Sequence, residues 1–351
     1  MKIYDDILQL IGHTPLVRLD RIRKNTKADI LAKLEYYNPT GSVKDRIALS
    51  MIEEAERQGL IKPGDSIVEP TSGNTGTSLA LVCAMKGYRM VAVLPEQMSQ
   101  ERKDMITAFG GELALVSSQG EAEPGMFTLE DLEATLAKAL ELAAQPGYYM
   151  PNQFANPSNS LAHQQSTAEE IWEDTGGQVD AFVAGVGTSG TAMGVSMGLK
   201  AKNPDVRIYV IEPANSAVIS GEDPGYHRIQ GIGEGFIPDL YQNEYADGVI
   251  KVSDVEAKAT ACRLARVEGI FSGYSAGANV FASLKVSEEL GEGKTIVTVI
   301  PDTGMKYLST ELFRRSPDLC TIHCCTLKSV DAREECLRQR GAARCCVLEP
   351  C

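Results

Sequence analysis

The chain has 351 residues, 43% hydrophobic and 23% charged, which is enough apolar material for one large core or two linked lobes and excludes wholesale disorder. Thirty-four Lys and Arg against 47 Asp and Glu leave a formal charge of −13, a surface field that repels phosphate backbones and anionic membranes, so neither nucleic acid nor membrane is an expected partner. No apolar run reaches the ~20 residues of a membrane helix, and the opening MKIYDDILQLIGHTP carries acids where a signal peptide carries basic residues, so a cytoplasmic protein is expected.

Up to about Thr310, short β-branched runs alternate with longer amphipathic stretches. In chain order they predict a strand at 30–34, a helix at 43–57, a strand at 66–69, a helix at 75–85, a strand at 90–94, a helix at 101–109 and a strand at 112–116. Helices follow at 129–144 and 166–173, then a strand at 181–185, a helix at 191–200, a strand at 207–211, helices at 255–267 and 276–290, and a last strand at 295–300. The strands are almost continuously apolar, as in a parallel sheet covered on both faces, so the fold class is α/β with right-handed crossovers. Turn formers mark loops at 118–126 and 145–157. The expected division is an N-terminal lobe at 1–150, a C-terminal lobe at 151–315 and a tail at 316–351. Seven of the nine cysteines fall in that tail, and Cys83 and Cys262, both in helical patterns, read as core residues.

Four loops carry chemistry. In Asn38-Pro39-Thr40-Gly41-Ser42-Val43-Lys44, a Pro-Gly turn precedes Ser42, which is able to cap a helix, and Lys44 in its first turn. A cation there opposes the helix dipole. Taken alone this is most simply a solvated lysine; the functional alternative is an amine kept partly neutral so that it attacks an aldehyde. Glu69-Pro70-Thr71-Ser72-Gly73-Asn74-Thr75-Gly76 gathers three hydroxyls, an amide and two glycines at a helix start, a density that points to a carboxylate or phosphate. Gly185-Val186-Gly187-Thr188-Ser189-Gly190-Thr191 lacks the Lys-Ser/Thr pair of a P-loop and a clean GxGxxG register, and fits one phosphate monoester better than a pyrophosphate. Pro301-Asp302-Thr303-Gly304 follows the last strand, where open α/β sheets bind ligands.

Taken together, IGHTPLVRLDRI, NPTGSVKDRIA, EPTSGNTG, PNQFANPSN, EIWEDTGGQVDAFVAGVGTSGT, IQGIGEGFIP and PDTGMKYLST resemble, in order and spacing, the cysteine synthase (O-acetylserine sulfhydrylase) family of fold-type II pyridoxal-phosphate enzymes, over about Ile3 to Thr310. The resemblance implies two α/β lobes, each a mostly parallel twisted sheet flanked by helices, in a homodimer. It implies pyridoxal 5′-phosphate on Lys44 as a Schiff base, Asn74 at the pyridoxal 3′-oxygen, and Gly187, Thr188, Ser189, Gly190 and Thr191 as the phosphate cup. Thr303 stands where the family carries a hydroxyl opposite the pyridine nitrogen, and Thr71, Ser72, Gly73, Thr75 and Gln153 match the substrate carboxylate site. The implied reaction is β-replacement of O-acetyl-L-serine by sulfide through an α-aminoacrylate, giving L-cysteine and acetate. A neutral hydroxyl at the ring nitrogen suits β-elimination over transamination. The C-terminus of a serine acetyltransferase, a partner that family members bind, would compete at Thr71, Ser72 and Thr75.

Two departures stand out. Glu234 sits in GIGEGFIP where the family carries Ala: either a solvent-facing residue, or a base or anion-repelling group that moves the activity toward a cysteine β-lyase releasing hydrogen sulfide or a cystathionine- or lanthionine-type β-synthase. Tyr274 adds bulk in GYSAGA. The tail spacing, CxxxCC followed by C, CC and C, fits no standard zinc rule, so no metal is expected. An inert extension, a thiol-rich metal site and a sulfur-carrying arm remain open for it, and with them a non-enzymatic binding role for the whole chain.

Overall fold

The computed structural model describes residues 3–23, 28–71, 73–117 and 129–314. Two sheets form the fold. β1 (Leu16–Arg18) and β2 (Asp29–Leu34) lead to α1 (Lys44–Arg57). β3 (Ser66–Pro70), α2 (Asn74–Lys86), β4 (Arg89–Pro95), α3 (Gln100–Ala108), β5 (Glu112–Val116), α4 (Leu129–Ala143) and β6 (Tyr148–Tyr149) follow in strict rotation. α5 (Pro157–Ala162), α6 (Ala168–Asp174), β7 (Ala181–Gly185), α7 (Gly190–Lys202), β8 (Arg207–Pro213), β9 (Gly248–Val252), α8 (Asp254–Arg263), α9 (Tyr274–Leu290) and β10 (Thr295–Ile300) complete it.

The smaller sheet has order β5-β4-β3-β6 and is parallel throughout, with Ser66 opposite Arg89 and Val91 opposite Glu112. The larger runs β1-β2-β10-β7-β8-β9, parallel except for the edge strand β1, so residues from the first 34 positions pair in the sheet that holds β7 to β10. Helices cover both faces, which is why β3 is buried at all five positions, its Ser66 and Glu69 included. Ile67, Leu79, Met90 and Ile106 centre one core; Phe182, Val195, Ile208 and Val297 centre a second. The compact unit ends at Lys306; of residues 307–314, the described part of a second unit, 308–314 are turns and bends. Among the described residues no helix is long and apolar enough to cross a membrane.

Every strand and helix that the sequence predicts is present, and four further elements appear. β1 and β9 are edge strands with exposed positions, and β6 has two residues, so none carries a long apolar run. α5 lies beside the expected 145–157 loop: Asn156 accepts a hydrogen bond from Ser158 N (2.9 Å) and Pro157 occupies the first helical position, so the Asn-Pro pair starts a helix. The stretch from Pro157 to Asp174 passes through a π-helical turn at His163–Thr167, which explains why only its second half shows helical period.

Candidate active site

Lys44 is the first residue of α1, entered through a turn in which Gly41 has φ +76°. Ser42 does not cap the helix. The N-cap is Val43 with no side-chain bond, and Asp45 takes up the neighbouring donors instead, accepting from Thr40 N (2.8 Å), Ser78 Oγ (2.5 Å) and the Thr40 hydroxyl. The turn is sewn to the end of β10 by Val43 N to Pro301 O (2.8 Å) and Thr303 N to Gly41 O (3.2 Å). Lys44 keeps partial surface exposure yet lies deep among protein atoms. Burial lowers its pKa from the ordinary lysine value, with the Glu234 and Asp302 carboxylates pulling the other way. These surroundings disfavour the charge that a solvated lysine would carry.

The loop after β3 is set by two hydrogen-bond systems. Thr71 Oγ1 accepts from Gly76 N (3.2 Å) and Gly73 N (3.4 Å), which folds the loop onto the start of α2. Thr75 Oγ1 donates to Gln153 Oε1 (2.7 Å), which leaves the Gln153 amide hydrogens as donors. Ser72 lies outside the described residues.

At the start of α7, Ser189 is a non-glycine residue at φ +71°, and its buried hydroxyl has no hydrogen-bond partner among the described residues. Asn159 Nδ2 donates to Thr188 Oγ1 (2.9 Å) and to Gln153 O (2.7 Å), tying this loop to the segment after β6. His163 Nε2 pairs with Thr191 Oγ1 (3.1 Å) and Nδ1 with Thr167 Oγ1 (2.9 Å). Burial, then the Arg46 and Lys44 charges, hold that imidazole neutral. A Cβ on Gly187 would lie 2.4 Å from Gly231 O, and one on Gly190 1.7 Å from Asn159 Oδ1. Gly190→Ala therefore displaces Asn159 from Thr188 and is expected to cost about 1–3 kcal/mol of stability. A thermal melt and a phosphate-ligand titration read both losses; an unchanged affinity contradicts the assignment of this loop.

Beyond β10, Asn74 Nδ2 donates to Asp302 Oδ2 (2.8 Å) while Lys306 Nζ donates to Asn74 Oδ1 (2.7 Å), so the Asn74 amide is fixed with one Nδ2 hydrogen left over. Thr303 Oγ1 accepts from Met305 N (3.3 Å) and keeps its own hydrogen to give. Glu234 lies in a loop whose glycines at 231, 233 and 235 all have positive φ. Glu234 keeps partial surface exposure, and burial raises its pKa, opposed by Lys44 and Arg102. Arg102 Nη2 donates to Gln230 Oε1 (2.5 Å), joining α3 to that loop.

The turn that carries Lys44, the loop after β3 and the Gly187–Thr191 loop are thus joined by hydrogen bonds that run through Asp302 and Asn74 on one side and through Thr75, Gln153 and Asn159 on the other. Residues 7–302 match the family model described as pyridoxal-phosphate dependent enzyme. The chain belongs to that family. It is 49% identical over 313 residues to a cysteine synthase of Staphylococcus aureus, covering 89% of this chain and 98% of that protein. Among solved structures, the cysteine synthase of Entamoeba histolytica aligns with a TM-score of 0.84 at 42% identity, covering 90% of this chain and 92% of that one. A hydrogen sulfide-producing enzyme of Fusobacterium nucleatum aligns at 0.82 and 40% identity, covering 88% and 99%, and an O-ureido-L-serine synthase at 0.82 and 41%, covering 90% and 98%.

As a pyridoxal-phosphate enzyme the chain must hold a phosphate monoester and an aldehyde-bearing ring, and its own groups fit both. The unpartnered Ser189 hydroxyl and the glycines with no room for a Cβ suit the phosphate, and an amine of lowered basicity suits the aldehyde. Of the residues singled out in the sequence, Lys44, Thr71, Gly73, Asn74, Thr75, Gln153, Gly187–Thr191, Thr303 and Glu234 fall in this connected set. Sequence reasoning missed the residues that hold them: Glu69, Asn159, Asp302, Lys306 and His163. Asn159 and Lys306 lie inside PNQFANPSN and PDTGMKYLST, and only their partners across the fold reveal what they do.

Proposed function

We propose that this chain is a cysteine synthase, joining sulfide to the β-carbon of O-acetyl-L-serine to give L-cysteine and acetate. The observation that carries the reading is Lys44: an amine disfavoured from charging, on a turn bonded to the Pro301–Thr303 segment whose Asp302 accepts from Asn74. Bound pyridoxal phosphate supplies an electron sink that acidifies the substrate α-carbon and lets the β-substituent leave. Gly187, Thr188, Ser189, Gly190 and Thr191 hold its phosphate, Asn74 its ring oxygen, and the Thr303 hydroxyl its ring nitrogen. Thr71, Ser72, Gly73, Thr75 and Gln153 orient the substrate carboxylate. Lys44 Nζ then accepts the α-proton and later returns it, a role its lowered basicity serves near neutral pH. The 49% identity to a cysteine synthase supports the choice of substrates.

The same reading makes the protein a cytoplasmic homodimer of two lobes that divide near residue 150, with residues 16–18 and 29–34 of the first segment paired into the sheet of the second. The exposed apolar side chains Ile3, Tyr4, Ile7 and Leu10 near the N-terminus offer a surface for a second copy. A serine acetyltransferase C-terminus would enter by its carboxylate at Thr71 to Thr75. Initial-rate kinetics test the reaction: parallel double-reciprocal lines for O-acetyl-L-serine and sulfide, with cysteine and acetate formed one to one, support it, and no sulfide-dependent cysteine contradicts it.

A second reading, release of hydrogen sulfide from cysteine with Glu234 as base, draws on one observation: Glu234 interacts with Lys44 and has a raised pKa. The Fusobacterium nucleatum neighbour named for sulfide production is consistent with it. Glu234→Ala separates the two, because under this second reading it cuts cysteine-dependent sulfide release at least tenfold more than sulfide-dependent cysteine formation. An unchanged ratio of the two activities removes Glu234 from the chemistry.

A further inference from the structure

Glu69 is fully buried on β3, one residue before the strand ends, and the mechanism above gives it no part. A carboxylate in that position is costly unless its oxygens are satisfied. Here Oε2 accepts from Asn152 N (2.9 Å) and Oε1 from Gln153 N (2.9 Å). Asn152 is at φ +56°, a conformation that only a firmly held backbone keeps in a non-glycine residue. From Gln153 two lines run outward. Its side chain accepts from Thr75 Oγ1 (2.7 Å) in the anion loop, and its carbonyl accepts from Asn159, which also grips Thr188 in the phosphate cup. One carboxylate thus fixes the segment on which both halves of the site converge.

We infer that Glu69 is a positioning residue for substrate binding: its ionised carboxylate, by clamping the Asn152 and Gln153 amides, sets the Gln153 side chain against the substrate carboxylate, and protonation of Glu69 loosens that grip. A protonated carboxyl keeps one good acceptor and turns the other oxygen into a donor, so one of the two backbone N–H groups loses its partner. Burial raises the Glu69 pKa to about 7, despite the Gln153 and Asn152 amides that favour its charge, which puts this change in the working range. No charged side chain acts on it among the described residues; the titratable neighbour is Tyr149 on β6, whose own pKa is raised by its burial and by Glu69. The sign follows: affinity for the amino-acid substrate is full above pH 7 and falls as pH drops through that value, and bound substrate in turn favours the ionised carboxyl.

The inference rests on the reading of Gln153 and Thr75 as the substrate carboxylate site, and the experiment separates the two. The KM for O-acetyl-L-serine and the calorimetric Kd for unreactive L-alanine are measured from pH 6 to 8 in the holoenzyme, in Glu69→Gln, in Gln153→Ala and in the double variant. The expected result is a wild-type Kd that falls from pH 6 to 8 more steeply than that of Glu69→Gln, whose Kd is about tenfold weaker and keeps only the change due to the ligand's own ammonium group, with kcat within about twofold. Adding Glu69→Gln to Gln153→Ala changes the Kd no further, because the clamp acts through Gln153. A Gln153→Ala variant with unaltered Kd overturns the carboxylate site itself. A weakened Gln153→Ala with Glu69→Gln additive to it, or a wild-type Kd that does not move with pH, overturns the role of Glu69 alone. Should Glu69→Gln fail to fold, Glu69→Asp takes its place: a carboxylate one methylene short of the two amides weakens the Kd several-fold, and an unchanged Kd overturns the role of Glu69.

Discussion

Lys44→Ala lowers turnover by roughly 10²- to 10⁴-fold, the contribution expected of a positioned acid–base group, and uncouples the cofactor from covalent attachment. Borohydride treatment of the native holoenzyme leaves the cofactor on the peptide that contains Lys44, and mass spectrometry of the variant finds it nowhere on the chain. The phosphate cup is untouched by the substitution, so the variant still binds pyridoxal phosphate reversibly. The effect is specific to this amine because its surroundings set its basicity: burial favours the neutral form, and Glu234 and Asp302 limit the shift. Restoring only the positive charge, with Lys44→Arg, does not recover activity, since a guanidinium stays charged at every accessible pH. Persistent turnover in Lys44→Ala contradicts the central assignment.

Arg46→Ala destabilises the fold by about 3–5 kcal/mol, the cost of leaving a buried charge without its partner. Arg46 is nearly fully buried and forks onto Glu35 with Nε to Oε2 at 2.8 Å and Nη2 to Oε1 at 2.9 Å. It forks again onto Glu170, with Nη1 to Oε1 at 2.6 Å and Nη2 to Oε2 at 2.8 Å. Burial opposes its charge, but the two carboxylates outweigh that and hold the guanidinium protonated. Lys33 completes the cluster with Nζ 2.9 Å from Glu170. Arg46 and Lys33 together outweigh burial at Glu170 and pull its pKa down to about 2. Stability from Glu170 is therefore present above its ordinary pKa and lost as pH falls toward 2. Removing Arg46 leaves Glu35 without its cation and Glu170 with Lys33 alone to offset the charge that also binds the His13 and Thr14 amides. The expected melting point falls by at least ~6 °C, and replacing Glu35 by Gln alongside Arg46→Met recovers part of it. A shift within a degree would mean the cluster contributes nothing.

Much of the site was legible because its chemistry is local. A lysine in the first turn of a helix, a hydroxyl-dense loop after a strand and a glycine-rich helix start each announce themselves within nine residues. What holds them is not local. Glu69 and Gln153 are 84 positions apart, Asn74 and Asp302 228, and Arg46 and Glu170 124, and no periodicity encodes such pairs. Ser42 shows the converse error: its capping propensity is real, but Asp45 collects Thr40 and Ser78 and helix α1 starts uncapped at Val43. The strands of the sheet interiors were legible because burial on both faces leaves an unbroken apolar run, whereas β1, β6 and β9 sit at edges or are too short to show one. The Cys-rich tail and the loop at 118–126 fall outside the described residues, so the readings of both rest on sequence.

The central claim is that elimination of acetate from O-acetyl-L-serine precedes, and does not need, the sulfur nucleophile. Acetate release is therefore measured on the holoenzyme mixed with O-acetyl-L-serine alone, followed by addition of sulfide. The account predicts a burst of one acetate per Lys44 with a change in the visible absorbance of the bound cofactor, then a return of the original absorbance and one L-cysteine per site when sulfide arrives. Acetate released only when sulfide is present, or a site that ignores O-acetyl-L-serine while responding to cysteine, would contradict it.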